Sequence, residues 1–103
     1  MNVTNAIAKV RFSSARPQRV QVARFAQYAC DLLCLEPKQE LTGTGPCGYY
    51  VVAGSGQIRS GKDSKPLSMG IVVDFMQGET YLLVNTSEQR LICLVIGNGN
   101  GHS

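Results

Sequence analysis

Apolar and β-branched residues recur along this chain in short runs, separated by clusters of glycine, proline, asparagine, aspartate and serine. The runs that read as strands are residues 29–36, 49–53, 57–59, 71–75, 80–84 and 90–96. Short strands at intervals of about 8–12 residues, with turn residues between them, are typical of an antiparallel sandwich or barrel. The gaps are too short for the crossover helix that parallel strands require. The pattern therefore predicts an all-β fold.

Two interpretations are open for residues 18–35. Alternation of apolar and polar residues favours strands, whereas some of the apolar spacing also loosely fits one face of a helix, which Pro37 would end. Residues 42–48 contain three glycines and a proline, a composition that predicts a loop. Residues 62–65 are interpreted as a solvated turn. The glycine-rich residues 97–103 are predicted to form a flexible tail.

Length and composition indicate a single domain spanning residues 1–103. The chain has 103 residues, of which 44% are hydrophobic and 17% charged, as in ordinary globular proteins. No apolar run approaches the length of about 18 residues that a membrane-spanning helix needs. A membrane is therefore not predicted among the partners of this chain.

Positive charge is concentrated at the start of the chain. Residues 1–24 contain five lysines and arginines and no acidic residue. A solvated surface of N-terminal strands, or an arm, is the preferred interpretation; a transit peptide and an arm that contacts a polyanion are the alternatives. Nucleic acid is not a predicted partner, because no nucleic-acid-binding motif accompanies these residues.

The four cysteines do not have the spacing of a disulfide-rich miniprotein. Cys30 and Cys93 lie within apolar runs, where a reduced cysteine packs as a small hydrophobic residue. Cys30 and Cys34 alone do not form a zinc knuckle, whose spacing is tighter and doubled. Reduced cysteines favour a cytoplasmic location.

Residues 37–97 resemble the cupin superfamily, most clearly in its second sequence motif. That motif has a glycine, a Pro-x-Gly, a histidine and an asparagine at fixed intervals, and the matching residues here are Gly70, Met76, Gly78, Tyr81 and Asn85. Gly70, Gly78 and Asn85 agree with the motif. Met76 replaces the proline, and Tyr81 replaces the metal-binding histidine.

Residues 49–56 resemble the strand and glycine turn that close the first cupin motif. Counting back from Gly54 places Cys47 where the family has a glutamate ligand. The two family histidines would fall within residues 40–43, or slightly later if the loop is shorter, and no histidine occurs in either window. The only histidine of the sequence, His102, lies in the predicted tail.

The resemblance implies a double-stranded β-helix, a jelly-roll cupin barrel with the ligand site at its mouth. Relatives hold iron, manganese, zinc or nickel through histidines and a carboxylate, and such an ion needs about three protein ligands. Because these ligands are missing, we expect no metal site and no cofactor. The function expected is binding of an unassigned small molecule in the barrel without a transition metal.

Six residues are candidates for lining this pocket: Thr42, Thr44, Cys47, Tyr49, Met76 and Tyr81. Under the motif alignment Cys47 and Tyr81 face each other, and Tyr49 shares the strand parity of Cys47, so that Tyr50 points the other way. Simple filling of the barrel is the alternative role for the thiol and the phenol. Ordinary loop positions are the alternative for the threonines, and surface packing for Met76.

An enzyme of the isomerase, epimerase or oxygenase type is the alternative function. Tyr81 would act as its acid beside Cys47, and a carboxylate from Glu40, Asp74 or Glu79 would act as its base. A pure interaction module is a third possibility. The expected partners are an unknown small molecule and a second copy of the chain, because small cupins usually associate through their outer sheets and N-terminal strands.

Overall fold

The computed structural model describes residues 1–98, which form two antiparallel sheets. The strands of this part of the chain are β1 (Gln18–Phe25), β2 (Tyr28–Leu35), β3 (Glu40–Thr44), β4 (Cys47–Ala53), β5 (Ser55–Ser60), β6 (Asp63–Ser68), β7 (Val72–Phe75), β8 (Thr80–Val84) and β9 (Leu91–Asn98). One turn of 3-10 helix, Ile7–Lys9, precedes them. Within residues 1–98 no helix has the length and apolar character needed to span a membrane.

The strands alternate between the two sheets along most of the chain. One sheet has the order β1-β2-β9-β4-β7, here called the five-stranded sheet, and the other has the order β3-β8-β5-β6, the four-stranded sheet. From β2 onward the chain crosses between the sheets at nearly every turn, with β5 and β6 as the exception. This winding is that of a jelly roll, so the predicted all-β double-stranded β-helix is confirmed.

Alternate residues of each strand face the space between the sheets, because side chains in a strand point to opposite faces. The buried residues that pack together there are Leu33, Leu35, Tyr49, Val51, Ile58, Leu67, Phe75, Tyr81, Leu83, Leu91, Cys93 and Val95. Aliphatic side chains dominate one part of this core, whereas the tyrosines and the phenylalanine are grouped in another.

Residues 18–35 form a β-hairpin, so their interpretation as a helix is wrong. β1 and β2 are paired from Gln18 with Cys34 to Phe25 with Tyr28. Apolar residues accumulate in β2 because both of its faces are covered. Leu33 faces the barrel core, while Leu32 is fully buried on the opposite face.

The N-terminal segment covers that opposite face of β2. Cys34, also fully buried there, is hydrogen-bonded to the backbone of Arg11. The side-chain amide of Gln39 donates to the carbonyl of Ser13 at 2.6 Å, and the guanidinium of Arg90 lies 4.4 Å from the centre of the Phe12 ring. These contacts attach residues preceding β1 to the body of the barrel.

Three further sequence interpretations need correction. The predicted loop at residues 42–48 is instead the end of β3, a turn with a cis Gly45-Pro46 bond and the start of β4. The predicted turn at residues 62–65 belongs mostly to β6, an edge strand, where a proline such as Pro66 is tolerated. Two residues of the predicted tail, Gly97 and Asn98, extend β9 by pairing with β2; residues 99–103, and with them His102, lie outside the described residues.

Asn85, the asparagine of the second motif, has a structural role at the end of β8. Its side chain is fully buried, and its amide nitrogen donates to the carbonyls of Leu35 at 3.1 Å and Gln89 at 2.8 Å. Its side-chain oxygen accepts hydrogen bonds from the backbone and the hydroxyl of Ser87. The residue therefore connects the β8–β9 turn to the end of β2.

Candidate functional site

A cluster of two phenols and a thiol lies inside the barrel, where β4 and β8 face each other. The Cys47 thiol donates to the Tyr81 hydroxyl at 3.5 Å, and the hydroxyls of Tyr49 and Tyr81 are hydrogen-bonded at 2.5 Å. Tyr49 is 2% exposed and Tyr81 5%, while Cys47 is half-buried. Period-two alternation places Cys47 and Tyr49 on the same face of β4, as the sequence predicted.

Aromatic packing holds the two phenols in place. The Phe75 ring stacks on Tyr81 with centroids 4.2 Å apart, and Tyr49 meets Tyr81 edge-on at 5.4 Å. Rings at these separations attract each other through dispersion and quadrupole terms. Tyr81 therefore has a neighbour on its face, at its edge and at its hydroxyl.

Because Gly43 has no side chain, the Tyr81 ring can occupy the space beside it. The two residues are paired across β3 and β8, and a Cβ atom at position 43 would lie 2.3 Å from the Tyr81 hydroxyl oxygen. Real Cβ atoms do not approach other atoms this closely. Glycine at position 43 and tyrosine at position 81 are thus one complementary pair, which explains a glycine inside a strand.

Burial makes both phenols harder to ionise. Desolvation raises the pKa of Tyr49 from 10.0 to about 12, against smaller lowering effects of its hydrogen bond to Tyr81 and of the Arg19 charge. The pKa of Tyr81 is also raised, first by desolvation and then by its hydrogen bonds to Tyr49 and Cys47. Both groups are neutral at physiological pH and offer hydroxyls that donate and accept hydrogen bonds.

Stability is expected to be constant near neutral pH and to fall in strong alkali. Folding raises the pKa of Tyr49 from 10.0 to about 12 and that of Cys93 from 9.0 to about 12, so the folded state holds these protons more tightly. Their stabilisation is complete below the unfolded pKa and is lost as the pH rises through the folded pKa, by about 1.4 kcal/mol per pH unit for each group. Urea unfolding from pH 8 to pH 12 measures this, and Tyr49→Phe is expected to make the decline above pH 10 shallower. An unchanged decline in that variant would contradict the assignment.

Thr42 and Thr44 do not share the barrel interior with the phenols. Both are exposed on the outer face of the four-stranded sheet, because the inward positions of β3 are Leu41 and Gly43. They line an open groove of about 430 Å³ that Arg59 and part of Tyr81 also line. The sequence prediction grouped them with the phenols because it interpreted this strand as a loop.

Met76 also lies away from the phenols. Its side chain is 73% exposed in the turn between β7 and β8, and its backbone N–H donates to the Glu79 carboxylate at 2.6 Å. Phe75, the residue before it, is the one that faces inward. Of the six candidates, the structure brings together Cys47, Tyr49 and Tyr81.

None of the carboxylates expected to serve as a base faces the phenols. Glu40 and Asp74 are exposed, since they share strand faces with the outward residues Thr42 and Gly48. Glu79 is exposed in its turn. An acid–base pair of Tyr81 with one of these groups is therefore not available in this arrangement.

Asp31 and Arg19 are inward-facing polar residues that the sequence prediction missed. Asp31 has the same strand parity as the core residue Leu33, and its carboxylate accepts a hydrogen bond from Arg19 at 2.6 Å. The sequence feature that could have revealed this pair is Asp31, the single charged residue in the otherwise apolar residues 29–35. Such a residue has to be paired or solvated, so it marks a polar place on a buried strand.

The residues at this site do not fit a divalent transition metal. The histidine window of the first motif has two inward positions, Leu41 and Gly43, and neither residue offers a side-chain ligand. Cys47 supplies one thiol, and the raised pKa of Tyr81 disfavours a phenolate ligand. Residues 1–98 contain no group of three histidines, cysteines or carboxylates that could hold a metal ion. About three such ligands are needed.

Similar solved structures define the class of fold. An uncharacterised conserved protein with a double-stranded β-helix domain from Klebsiella pneumoniae superposes with a TM-score of 0.86 at 19% identity, covering 99% of this chain and 94% of that one. A cupin superfamily protein from Desulfitobacterium hafniense gives 0.76 at 11% identity, covering 88% and 84%. A protein described as a putative sugar phosphate isomerase from Acidithiobacillus ferrooxidans gives 0.62 at 26% identity, covering 71% of this chain and 51% of that one.

The chain therefore has the double-stranded β-helix fold of the cupin superfamily, as its motif spacing predicted. No protein-family model and no curated protein sequence matches it. The similarity to these solved structures lies in the fold.

Proposed function

We propose that this chain binds a small organic molecule in its barrel through the Tyr49 and Tyr81 hydroxyls and the Cys47 thiol, without a transition metal. The observation that carries the proposal is the hydrogen bonding of Tyr81 to both Cys47 and Tyr49, since the cupin resemblance implies metal ligands at positions 47 and 81. Neutral phenols are suited to hydrogen-bonding a polar ligand. Cys47 is half-buried, so it is the member of the cluster that solvent reaches most.

Ligand-observed NMR with a library of small polar molecules tests this proposal. Tyr81→Phe keeps the ring and its stacking on Phe75 but removes the hydroxyl, and it is expected to weaken the compounds that bind roughly tenfold. Tyr50→Phe is the matched control, because Tyr50 adjoins Tyr49 on β4 but is 43% exposed. A library without binders, or binders equally affected by both variants, would overturn the proposal.

We also propose that two copies associate through the outer face of the five-stranded sheet. Beyond the part covered by the N-terminal segment, this face exposes Tyr50, Val72 and Ile96, by 43%, 67% and 48%. They lie on the adjacent strands β4, β7 and β9. Adjacent exposed apolar side chains commonly mark protein interfaces.

Sedimentation velocity is expected to show a dimer that dissociates when Ile96 is replaced by arginine. A charge within the interface would be buried without a partner, which is strongly unfavourable. Thr42→Arg, on the outer face of the other sheet, is expected to leave the dimer unchanged. A wild-type monomer, or equal behaviour of the two variants, would refute the proposed interface.

A further inference from the structure

The ion pair of Arg19 and Asp31 lies on the same inward face as the phenols. Arg19 is paired with Leu33 across β1 and β2, and Asp31 with Val95 across β2 and β9. Val95 is paired in turn with Tyr49 of β4. A single row of residues across the five-stranded sheet thus runs from the carboxylate to the phenol. The positive charge of Arg19 also acts on Tyr49. It lowers the pKa of that phenol, while the larger effect of burial raises it.

One side-chain atom of each partner in this pair has no hydrogen bond within residues 1–98. Nε of Arg19 donates to Oδ2 of Asp31 at 2.6 Å, but Nη1 of Arg19 and Oδ1 of Asp31 are buried with no hydrogen-bond partner among the described residues. The Arg19 side chain as a whole is 27% exposed, so the guanidinium has its buried Nη1 turned away from solvent. Buried polar atoms without partners are rare and costly, and each calls for an explanation.

We infer that Arg19 and Asp31 form a second wall of the proposed binding site and select a neutral ligand with several hydroxyl groups. A hydroxyl group both accepts and donates hydrogen bonds, so the hydroxyls of one ligand would accept from Nη1 and donate to Oδ1. The pair has no net charge, so a carboxylate attracted by Arg19 also meets Asp31 and an ammonium attracted by Asp31 also meets Arg19, whereas a neutral ligand meets no repulsion. Further hydroxyls of the same molecule would meet the neutral phenols of Tyr49 and Tyr81. This inference rests on the proposed function.

Three probes with one six-carbon skeleton test the inference: glucitol, gluconate and glucamine. In NMR titrations of the full chain, glucitol is expected to shift the Arg19 Nε–H and Asp31 backbone signals. It is also expected to bind roughly tenfold more tightly than the charged analogues. Tighter binding of gluconate or glucamine, or no binding of glucitol, overturns the inference. So does a crystal structure with glucitol in which only a water bridges Nη1 and Oδ1.

The paired variant Arg19→Met with Asp31→Leu separates this inference from the proposed function. Removing one partner would leave an unpaired buried charge and a risk of misfolding, whereas apolar replacement of both partners is commonly tolerated. The paired variant is expected to bind glucitol roughly tenfold more weakly. Unchanged binding in it, together with loss in Tyr81→Phe, overturns the inference and leaves the proposed function in place. If the paired variant does not fold, the NMR titration of the wild-type chain decides. Unchanged Arg19 and Asp31 signals on addition of glucitol then overturn the inference.

Discussion

Replacing Gly43 by alanine is expected to lower the free energy of unfolding by about 1–3 kcal/mol, although only one methyl group is added. The new Cβ atom would lie 2.3 Å from the Tyr81 hydroxyl oxygen and 2.5 Å from the ring carbon that bears it. The Tyr81 side chain cannot easily move away, because Phe75 stacks on its ring and Tyr49 is hydrogen-bonded to its hydroxyl. The core is close-packed, so the strain spreads to the whole cluster.

Urea unfolding measures this effect, and the chain offers a matched control. Gly48 lies in β4, the next strand along the chain, and the nearest atom to a Cβ there would be the Val73 carbonyl oxygen at an ordinary 3.8 Å. Gly48→Ala is therefore expected to change stability by less than about 1 kcal/mol. Adding Tyr81→Ala to Gly43→Ala should remove the clash, so the two effects should not be additive. Equal losses in the two alanine variants, or simple additivity, would show that Gly43 and Tyr81 are not a complementary pair.

Sequence reasoning was sufficient for the fold and for the contact among Cys47, Tyr49 and Tyr81. Strand spacing and the second-motif glycines indicated a barrel, and the motif alignment placed Cys47 and Tyr81 opposite each other, as the structure shows. Alternation then placed Tyr49 beside Cys47. These predictions depend on local periodicity and on fixed intervals, which the sequence displays directly.

The rest of the site depends on partners that are distant in sequence. Glycines in residues 42–48 indicated a loop, but Gly43 is a strand residue whose missing side chain makes room for Tyr81, 38 positions later. Thr42 was misplaced for the same reason, since a strand gives alternate residues opposite faces. The inward direction of Arg19 and Asp31 follows from the register of β1 on β2, which composition does not reveal.

The second prediction with a large expected effect is that the purified chain carries no bound transition metal. Cys47 and Tyr81 stand at the positions where the cupin resemblance implies ligands for such an ion. Iron, manganese, nickel and zinc require about three nitrogen, sulfur or carboxylate ligands. Inward positions 41, 43, 47 and 81 provide a leucine, a glycine, a thiol and a protonated phenol. The hydroxyl of that phenol is already engaged by Cys47 and Tyr49.

Elemental analysis of the full chain, expressed without a histidine tag in metal-supplemented medium, tests most directly whether a thiol and two neutral phenols have replaced the ion. A histidine-bearing cupin purified in parallel serves as the positive control. Iron, manganese, nickel and zinc are each expected far below one ion per chain, with no change in Tyr81→Phe. One ion per chain, lost when Tyr81 or Cys47 is replaced, would show instead that this barrel holds a metal at the phenol cluster.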